Sequence, residues 1–247
     1  MRILIGIDDT DTKETRGTGF NARQIGKLIE EQQLGTIEGI TRHQLFFDPR
    51  IPYTSANSSA CLEVECENIQ VIKNCCLDYL NRIAPLGSDV GLCIHEKDKL
   101  IDQIVDWGNR AKKEVLSQSE GRKIANDSKT YLRGLCGTED GVIGALAAVG
   151  LRKGGNDGRF IWLKGKQELR DIPAGIYNIK ELKEELYLDA IESMNGLQIQ
   201  DSDSIYIDEW IRPVLKNHKK TLIVKQKKDQ QNYEWEVAPK EHIKSIS

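Results

Sequence analysis

Three aspartates follow directly on an apolar segment near the start of the chain. Residues 2–7 form a short segment that is apolar in the middle and flanked by charged side chains, which is typical of a strand buried on both faces. Asp8, Asp9 and Asp11 come at its end. Burying ionised carboxylates at the end of a buried strand costs free energy unless a cation binds to them. Because Mg²⁺ is usually held by one or two carboxylates together with phosphates, we predict that these aspartates hold Mg²⁺ and a polyphosphate.

A structural explanation of the same aspartates also exists. Aspartates in loops often accept hydrogen bonds from nearby backbone N–H groups. If the strand continued, Asp8 and Asp9 would point to opposite sides, so a shared ion requires the chain to bend after the strand. The position at a strand exit, where α/β folds bind their ligands, favours the metal site.

A second candidate segment is rich in glycine and leads into a helix of small residues. Residues 135–150 read LCGTEDGVIGALAAVG. Backbone N–H groups at a helix N-terminus can bind phosphate where no side chain obstructs them. Gly137, Gly141 and Gly144 are therefore candidate nucleotide-binding residues. The segment lacks the Gly-Lys-Ser/Thr of a Walker A loop, so a tight helix-packing turn is the alternative.

Hydroxyl and amide side chains supply further candidate contacts to a nucleotide. Residues 53–59 read YTSANSS, in which the Asn57 amide and the hydroxyls suit phosphate or sugar, although a plain polar turn is the alternative. Thr10 lies in the same loop as Asp11 and is another candidate cofactor ligand. Thr18 occupies the position expected of an N-cap before a helix over residues 20–33.

The elements that position these residues are inferred from periodicity and turn signals. Residues 58–66 alternate between apolar and acidic side chains, which predicts a half-exposed strand. A β-α-β-β-α-β order of the ferredoxin-like kind can begin near Ser58, and the fold class is α/β (α+β). We predict further strands over residues 36–47, 89–95, 159–164 and 173–177, helices over residues 68–83 and 97–118, and a C-terminal hairpin with strands at residues 222–224 and 233–237.

The composition is that of an ordinary globular protein of one large or two smaller domains. A net charge of −3 in 247 residues gives no global field that would attract nucleic acid or a membrane surface. No apolar run approaches the length of a membrane span, and no signal peptide is apparent, so we expect a cytoplasmic protein. The six cysteines form no CxxC pair, so we expect no zinc site.

The motifs together resemble the archaeal synthetase family that converts the anticodon cytidine of an isoleucine tRNA to agmatidine. The resemblance rests on IGIDDTD at residues 5–11, Thr18, IPY at residues 51–53, Asn57, and GVIGALAAVG at residues 141–150. It implies a catalytic half with a kinase-like α/β domain coupled to a ferredoxin-like domain. In that family the kinase-like domain binds ATP and Mg²⁺, and a threonine in the loop, matched here by Thr18, accepts phosphate.

The same resemblance implies a domain organisation. We expect the nucleotide-binding kinase-like domain at residues 1–57 with about 120–170. The ferredoxin-like and C-terminal hairpin region is expected at residues 58–119 and about 171–247. Only the N-terminal half of the family is matched, because its OB-type domain and zinc ribbon have no counterpart in this sequence. Some positions depart from the family: Thr54, Ser55 and Ala56 follow IPY where basic residues are usual, and Gly19, Phe20 and Asn21 open the first helix.

The leading hypothesis is an ATP- and Mg²⁺-dependent phosphotransferase or ligase, with tRNA or another RNA as a possible partner. Phosphoryl transfer depends on positioning and charge neutralisation, for which Asp8, Asp9, Asp11 and Thr18 are the candidate catalytic residues. One alternative is a phosphatase with an aspartyl nucleophile, although Lys13 stands where that motif has Thr or Val. Another is a non-catalytic nucleotide-sensing or RNA-binding module.

Overall fold

The computed structural model describes residues 1–54, 56–165, 168–208, 210–227 and 232–247. Internal contacts divide the chain into two units, Met1–Gly154 and Gly155–Ser247. Each unit combines strands with helices, which confirms the predicted mixed α/β (α+β) class. The kinase-like and ferredoxin-like roles of the predicted domain ranges stay predictions.

The first unit contains an antiparallel sheet with the strand order β5-β4-β1-β3-β2. Its strands are β1 (Arg2–Asp8), β2 (Gly35–Gln44), β3 (Ser58–Cys66), β4 (Gly91–Glu96) and β5 (Tyr131–Gly134). Its helices are α1 (Thr18–Glu31), α2 (Ile69–Ile83), α3 (Asp102–Ala111), α4 (Gln118–Asp127) and α5 (Gly141–Gly154).

Strand β1 lies in the middle of this sheet and is buried on both faces, as predicted. Leu4 belongs to a core cluster formed with side chains of α3 and α5. Ile3, Ile5 and Ile7 point to the opposite face, and all three have no exposed surface. Because β1 is covered on both faces, only its two ends reach the surface, and Asp8 lies partly exposed at its C-terminal end.

Helix α5 packs unusually closely on β1 and β4. A β-carbon on Gly6 would lie 2.0 Å from the carbonyl oxygen of Ala145, and one on Gly91 would lie 2.1 Å from that of Gly141. Glycine on both strands therefore allows the helix backbone to approach the sheet directly. The N-terminus of α5 consequently lies at the ends of β1 and β4 from which the candidate site is built.

The expectation of a half-exposed strand over residues 58–66 is wrong. Glu63 in β3 is 5% exposed and lies among cations. Arg152 Nη2 lies 3.0 Å from Glu63 Oε2, and Lys97 Nζ lies 2.6 Å from Glu63 Oε1. Glu63 can be buried because basic side chains neutralise it inside the fold, whereas Glu65 on the same strand is exposed.

The single helix expected over residues 97–118 is also wrong. The chain forms a 3₁₀ turn at Lys97–Lys99 and then two separate helices, α3 and α4. Phe46 N donates to the carbonyl oxygen of Ala111 (3.0 Å), which marks the end of α3. Ser117 Oγ accepts from Glu120 N and caps α4. The break leaves a linker over residues 112–117 that is available to line a pocket.

The second unit is built around the core residues Phe160, Leu222 and Trp235. Its strands follow the order β6-β10-β11-β12-β9-β7, and β8 pairs in parallel with β11. The predicted C-terminal hairpin is present, because β11 and β12 pair antiparallel. The elements are β6 (Arg159–Leu163), β7 (Gly175–Asn178), α6 (Ile179–Glu185), β8 (Ala190–Ser193), β9 (Ser204–Ile207), β10 (Val214–Lys216), β11 (Lys219–Gln226), β12 (Trp235–Val237) and α7 (Lys240–Ile246).

Among the helices that the structure describes, none has both the length and the apolar character needed to cross a membrane.

Candidate active site

An open pocket with a cavity volume of about 160 Å³ lies in the first unit at the end of β1. Asp8, Asp9 and Asp11 line it together with Thr18. The other walls come from the loop after β2, the linker between α3 and α4, and the N-terminus of α5. The structure therefore brings the four predicted catalytic side chains to one cavity, next to the glycine-rich helix start.

A backbone turn at Asp9 brings neighbouring aspartates to the same cavity. Strand β1 ends at Asp8, and Asp9 has a φ of 51°, in the left-handed region that aspartate tolerates better than most residues. This turn is the bend that a shared site requires, because a continued strand would have sent Asp8 and Asp9 to opposite sides.

Both of these carboxyl groups resist ionisation. Burial, followed by the charge of Asp9, raises the pKa of Asp8 to about 8. Burial also raises the pKa of Asp9 to about 6, with further contributions from the charges of Asp89, Asp11 and Asp140. A divalent cation would offset both the lost hydration and the mutual repulsion.

Asp89 and Asp140 belong to this acidic site, and sequence reasoning missed both. Asp89 Oδ1 accepts a hydrogen bond from the backbone N–H of Thr138. Asp140 accepts from Gln118 Nε2 at 2.6 Å and from Thr138 Oγ1 at 3.0 Å. The available signal was position: Asp89 lies just before the strand that pairs with β1, and Asp140 lies directly before the glycine-rich helix.

Asp11 organises the loop and the start of α1. Its Oδ1 accepts from both the backbone N and the Oγ1 of Thr18, each at 2.9 Å, and its Oδ2 accepts from Thr54 Oγ1 at 3.0 Å. The N-cap position predicted for Thr18 is wrong, because α1 begins at Thr18 after Gly17, which has no capping side chain. The Asp11 carboxylate accepts the first free N–H of the helix instead.

The predicted cofactor ligands are divided between the pocket and its surroundings. Gly141 and Gly144 line the pocket, and so does Asn57. Gly137 instead lies against Asp89. Thr10 is beneath the surface, with 1% of its area exposed. The cofactor-binding roles of these residues stay predictions.

In the segment around Asn57 and in the glycine-rich segment before α5, many hydrogen-bonding groups already have partners within the protein. Asn57 Nδ2 donates to the carbonyl oxygen of Phe46 at 2.7 Å and closes the loop after β2. Ser55 of the predicted polar segment lies outside the described residues. The backbone N–H groups of residues 138, 139, 141, 142 and 143 all donate within the protein. A phosphate near α5 would therefore be attracted chiefly by the positive end of the helix.

The donor set suits Mg²⁺ bound together with phosphate. Across the residues that the structure describes, no three His, Cys, Asp or Glu side chains form a metal-binding group. A cation at Asp8 and Asp9 would therefore take further ligands from its partner molecule, as Mg²⁺ does with polyphosphates. Asp11 is already engaged with Thr18 and Thr54. Metal binding by all three aspartates stays a prediction.

Comparisons with known proteins support the fold over part of the chain. No protein-family model matches the sequence. Over 152 residues, which are 61% of this chain and 50% of the other, the sequence is 29% identical to an uncharacterized protein of Methanocaldococcus jannaschii.

Solved structures of TiaS, an agmatidine synthetase that acts on an isoleucine tRNA, are similar to this chain. Apo TiaS aligns with a TM-score of 0.54 and 25% identity over 61% of this chain and 35% of that one. The complex of TiaS with this tRNA and ATP aligns with a TM-score of 0.55 and 25% identity over 61% and 36%. The match thus spans half of the curated relative and about a third of the synthetase. The predicted resemblance is confirmed at the level of the fold.

Proposed function

We propose that the first unit binds ATP with Mg²⁺ and transfers a phosphoryl group in an RNA-associated reaction. The observation that carries this proposal is the 2.9 Å contact between Thr18 Oγ1 and Asp11 Oδ1, in a pocket that also contains Asp8 and Asp9. A hydroxyl that donates to a carboxylate is arranged as a nucleophile with a base. The similarity to the structure of TiaS in complex with tRNA and ATP also supports this proposal.

The proposed step is phosphoryl transfer from ATP to Thr18. The Thr18 oxygen forms a bond to the γ-phosphorus, the bond from that phosphorus to the bridging oxygen breaks, and ADP leaves with the electron pair. The Thr18 proton passes to Asp11 Oδ1. Mg²⁺, when bound at Asp8 and Asp9, would neutralise charge on the phosphates.

An exposed aromatic pair at the pocket supports RNA as the partner. Phe47 and Tyr53 are 51% and 46% exposed. Their centroids are 5.4 Å apart in an edge-to-face arrangement, and Tyr53 lines the pocket. Exposed aromatic rings are the surfaces on which proteins stack unpaired RNA bases.

Calorimetry with Mg²⁺ and ATP tests the nucleotide site. The wild-type protein is expected to bind, and Asp8→Asn and Asp9→Asn to weaken binding strongly, whereas the exposed Asp98→Asn matches the charge change and should bind normally. Absence of binding by the wild type, or undiminished binding by both pocket variants, would overturn the proposed site.

Mass spectrometry after incubation with Mg²⁺ and ATP tests the transfer. Phosphate is expected on Thr18 and not in Thr18→Val. Because Thr18 is only 7% exposed, a non-catalytic nucleotide sensor is the second candidate. Tight ATP binding with neither phosphothreonine nor ADP as a product would favour that second function.

A further inference from the structure

A continuous chain of buried hydrogen bonds runs from α2 to the pocket inside the first unit. Tyr79 OH donates to Asn21 Oδ1 at 3.0 Å, and Asn21 Nδ2 donates to Thr10 Oγ1 at 2.9 Å. Thr10 Oγ1 then donates to Thr18 Oγ1 at 3.2 Å, and Thr18 Oγ1 to Asp11 Oδ1 at 2.9 Å. All members before Asp11 are at most 8% exposed, so water does not compete freely with these bonds.

The orientation of the Asn21 amide is determined by its surroundings. Its Nδ2 also lies 3.2 Å from the carbonyl oxygen of Thr10 and 3.4 Å from that of Arg16. Both are acceptors only, so the opposite orientation would place Oδ1 against two carbonyl oxygens. The amide nitrogen therefore faces Thr10.

This orientation of the Asn21 amide constrains the direction of the hydroxyl protons in the hydrogen bonds between Asn21 and Asp11. An amide nitrogen only donates and a carboxylate only accepts, and between Asn21 and Asp11 lie two hydroxyls with one proton each. Because Thr10 Oγ1 accepts from Asn21, its own proton is directed to Thr18. The Thr18 proton is directed to Asp11, whose carboxylate only accepts, and the Thr10 proton excludes the alternative in which Thr18 donates to Thr10.

We infer that Asn21 is a positioning residue that directs the Thr18 proton to Asp11 without touching the reacting atoms. The inference rests on the proposed function, in which Asp11 takes this proton. Thr18 Oγ1 also accepts from the backbone N–H of Thr10 at 3.4 Å, so both of its lone pairs have donors. Attack on phosphorus then requires release of one donor, and the longer bond is the weaker one.

The variant Asn21→Asp tests the direction of these hydrogen bonds. It keeps the shape of the side chain and an acceptor for Tyr79, but it cannot donate to Thr10 when ionised. The Thr10 proton would turn away from Thr18. We expect the rate of Thr18 phosphorylation at saturating Mg²⁺ and ATP to fall about 10- to 100-fold, with the ATP dissociation constant unchanged. Asn74→Asp, exposed in α2, carries the same charge change and should behave as the wild type.

Two variants of Thr10 separate hydrogen bonding from packing and avoid a new buried charge. Thr10→Val keeps the volume but removes the hydroxyl, whereas Thr10→Ser keeps the hydroxyl and removes a methyl group. We expect Thr10→Val to lower kcat with KM unchanged and Thr10→Ser to retain most of kcat. Wild-type rates in both Asn21→Asp and Thr10→Val, or loss in Thr10→Ser alone, would overturn the inference and leave the proposed function standing.

Neutron diffraction of the ligand-free protein decides the proton order without any activity. The deuteron of Thr18 is expected on the line to Asp11, and that of Thr10 on the line to Thr18. A Thr18 deuteron directed at Thr10 would overturn the inference. If the wild type failed to bind Mg²⁺ and ATP, the proposed function would fall, and the neutron map would still decide the direction of the chain.

Discussion

A β-carbon on residue 144 would lie 1.7 Å from Oδ2 of Asp8, so the start of α5 meets the carboxylate at the end of β1 only because residue 144 is glycine. The approach places the positive end of a helix beside an acidic group that is costly to ionise there. The glycine-rich segment thus serves the site through close packing, whether or not its backbone also contacts phosphate.

Substitution of Gly144 by alanine should therefore damage both stability and binding. The added methyl group forces α5 or Asp8 to move, at a cost of about 1–3 kcal/mol in the free energy of unfolding. Binding of Mg²⁺ and ATP should weaken in calorimetry. Gly154→Ala is the matched control in the same helix, because its β-carbon would lie 3.2 Å from Val105 Cγ1, a contact that a shift of a few tenths of an ångström relieves. Equal stability of the two variants in urea unfolding would contradict the packing argument.

Neutralising Asp8 should stabilise the ligand-free protein at high pH. Burial raises the pKa of Asp8 to about 8 from 3.8, so between these pH values the folded state holds a proton that the unfolded chain has lost. The free energy of unfolding of the wild type should therefore fall as the pH rises through this window. Asp8→Asn should remove that part of the slope, so that its advantage is small near pH 4 and largest near pH 8.

Urea unfolding at several pH values measures this effect, with Asp98→Asn as the exposed control. Mg²⁺ and ATP should raise the unfolding temperature of the wild type but not that of Asp8→Asn, because only a binding-competent folded state gains stability from its ligand. A variant less stable than the wild type at pH 8 would show that the Asp8 carboxylate already has adequate partners.

The ion pair of Glu63 with Arg152 should contribute strongly to stability above the usual pKa of a glutamate. Burial raises the pKa of Glu63, but the charges of Arg152 and Lys97 outweigh it and hold the pKa below its ordinary value. Glu63→Gln removes the carboxylate that lies 3.0 Å from Arg152, whose side chain is 4% exposed, at a cost of about 3–5 kcal/mol. Glu65→Gln, exposed on the same strand, should have little effect.

The pH dependence of this pair has the opposite sign to that of Asp8. A depressed folded-state pKa gives stability that is present above the unfolded value, about 4.3, and is lost as the pH falls through the folded value. The difference between the wild type and Glu63→Gln in urea unfolding should therefore shrink as the pH falls from 7 to 3. A constant difference would mean that the carboxylate is not the source of the effect.

Local signals made several elements predictable from the sequence. Asn68 caps α2, with its Oδ1 accepting from Gln70 N at 2.9 Å, and this helix ends at Ile83 as predicted. The apolar run before Asp8 forms a strand buried on both faces. In both cases the deciding interactions lie within a few residues of one another, and such interactions leave a readable pattern.

The missed features depend on contacts between distant parts of the chain. The carbonyl oxygen of Ala111 accepts from Phe46 N, and Glu63 is neutralised by Arg152. Asp89 reaches the site because β4 pairs with β1. Pairing and neutralisation of this kind are set by tertiary packing, so no local pattern indicates which acid is buried.

The aromatic pair at the pocket should bind RNA bases, since Phe47 and Tyr53 are about half exposed beside the acidic site. Tyr53→Ala should weaken tRNA binding by about 1–3 kcal/mol, the usual contribution of base stacking, and should weaken it more than ATP binding. Fluorescence anisotropy with a labelled tRNA at fixed salt measures this. Tyr53→Phe keeps the ring and should bind tRNA normally. Leu86→Ala removes an exposed apolar side chain elsewhere and, as a control, should also bind tRNA normally. Equal tRNA affinities of Tyr53→Ala and Tyr53→Phe would exclude stacking on this ring.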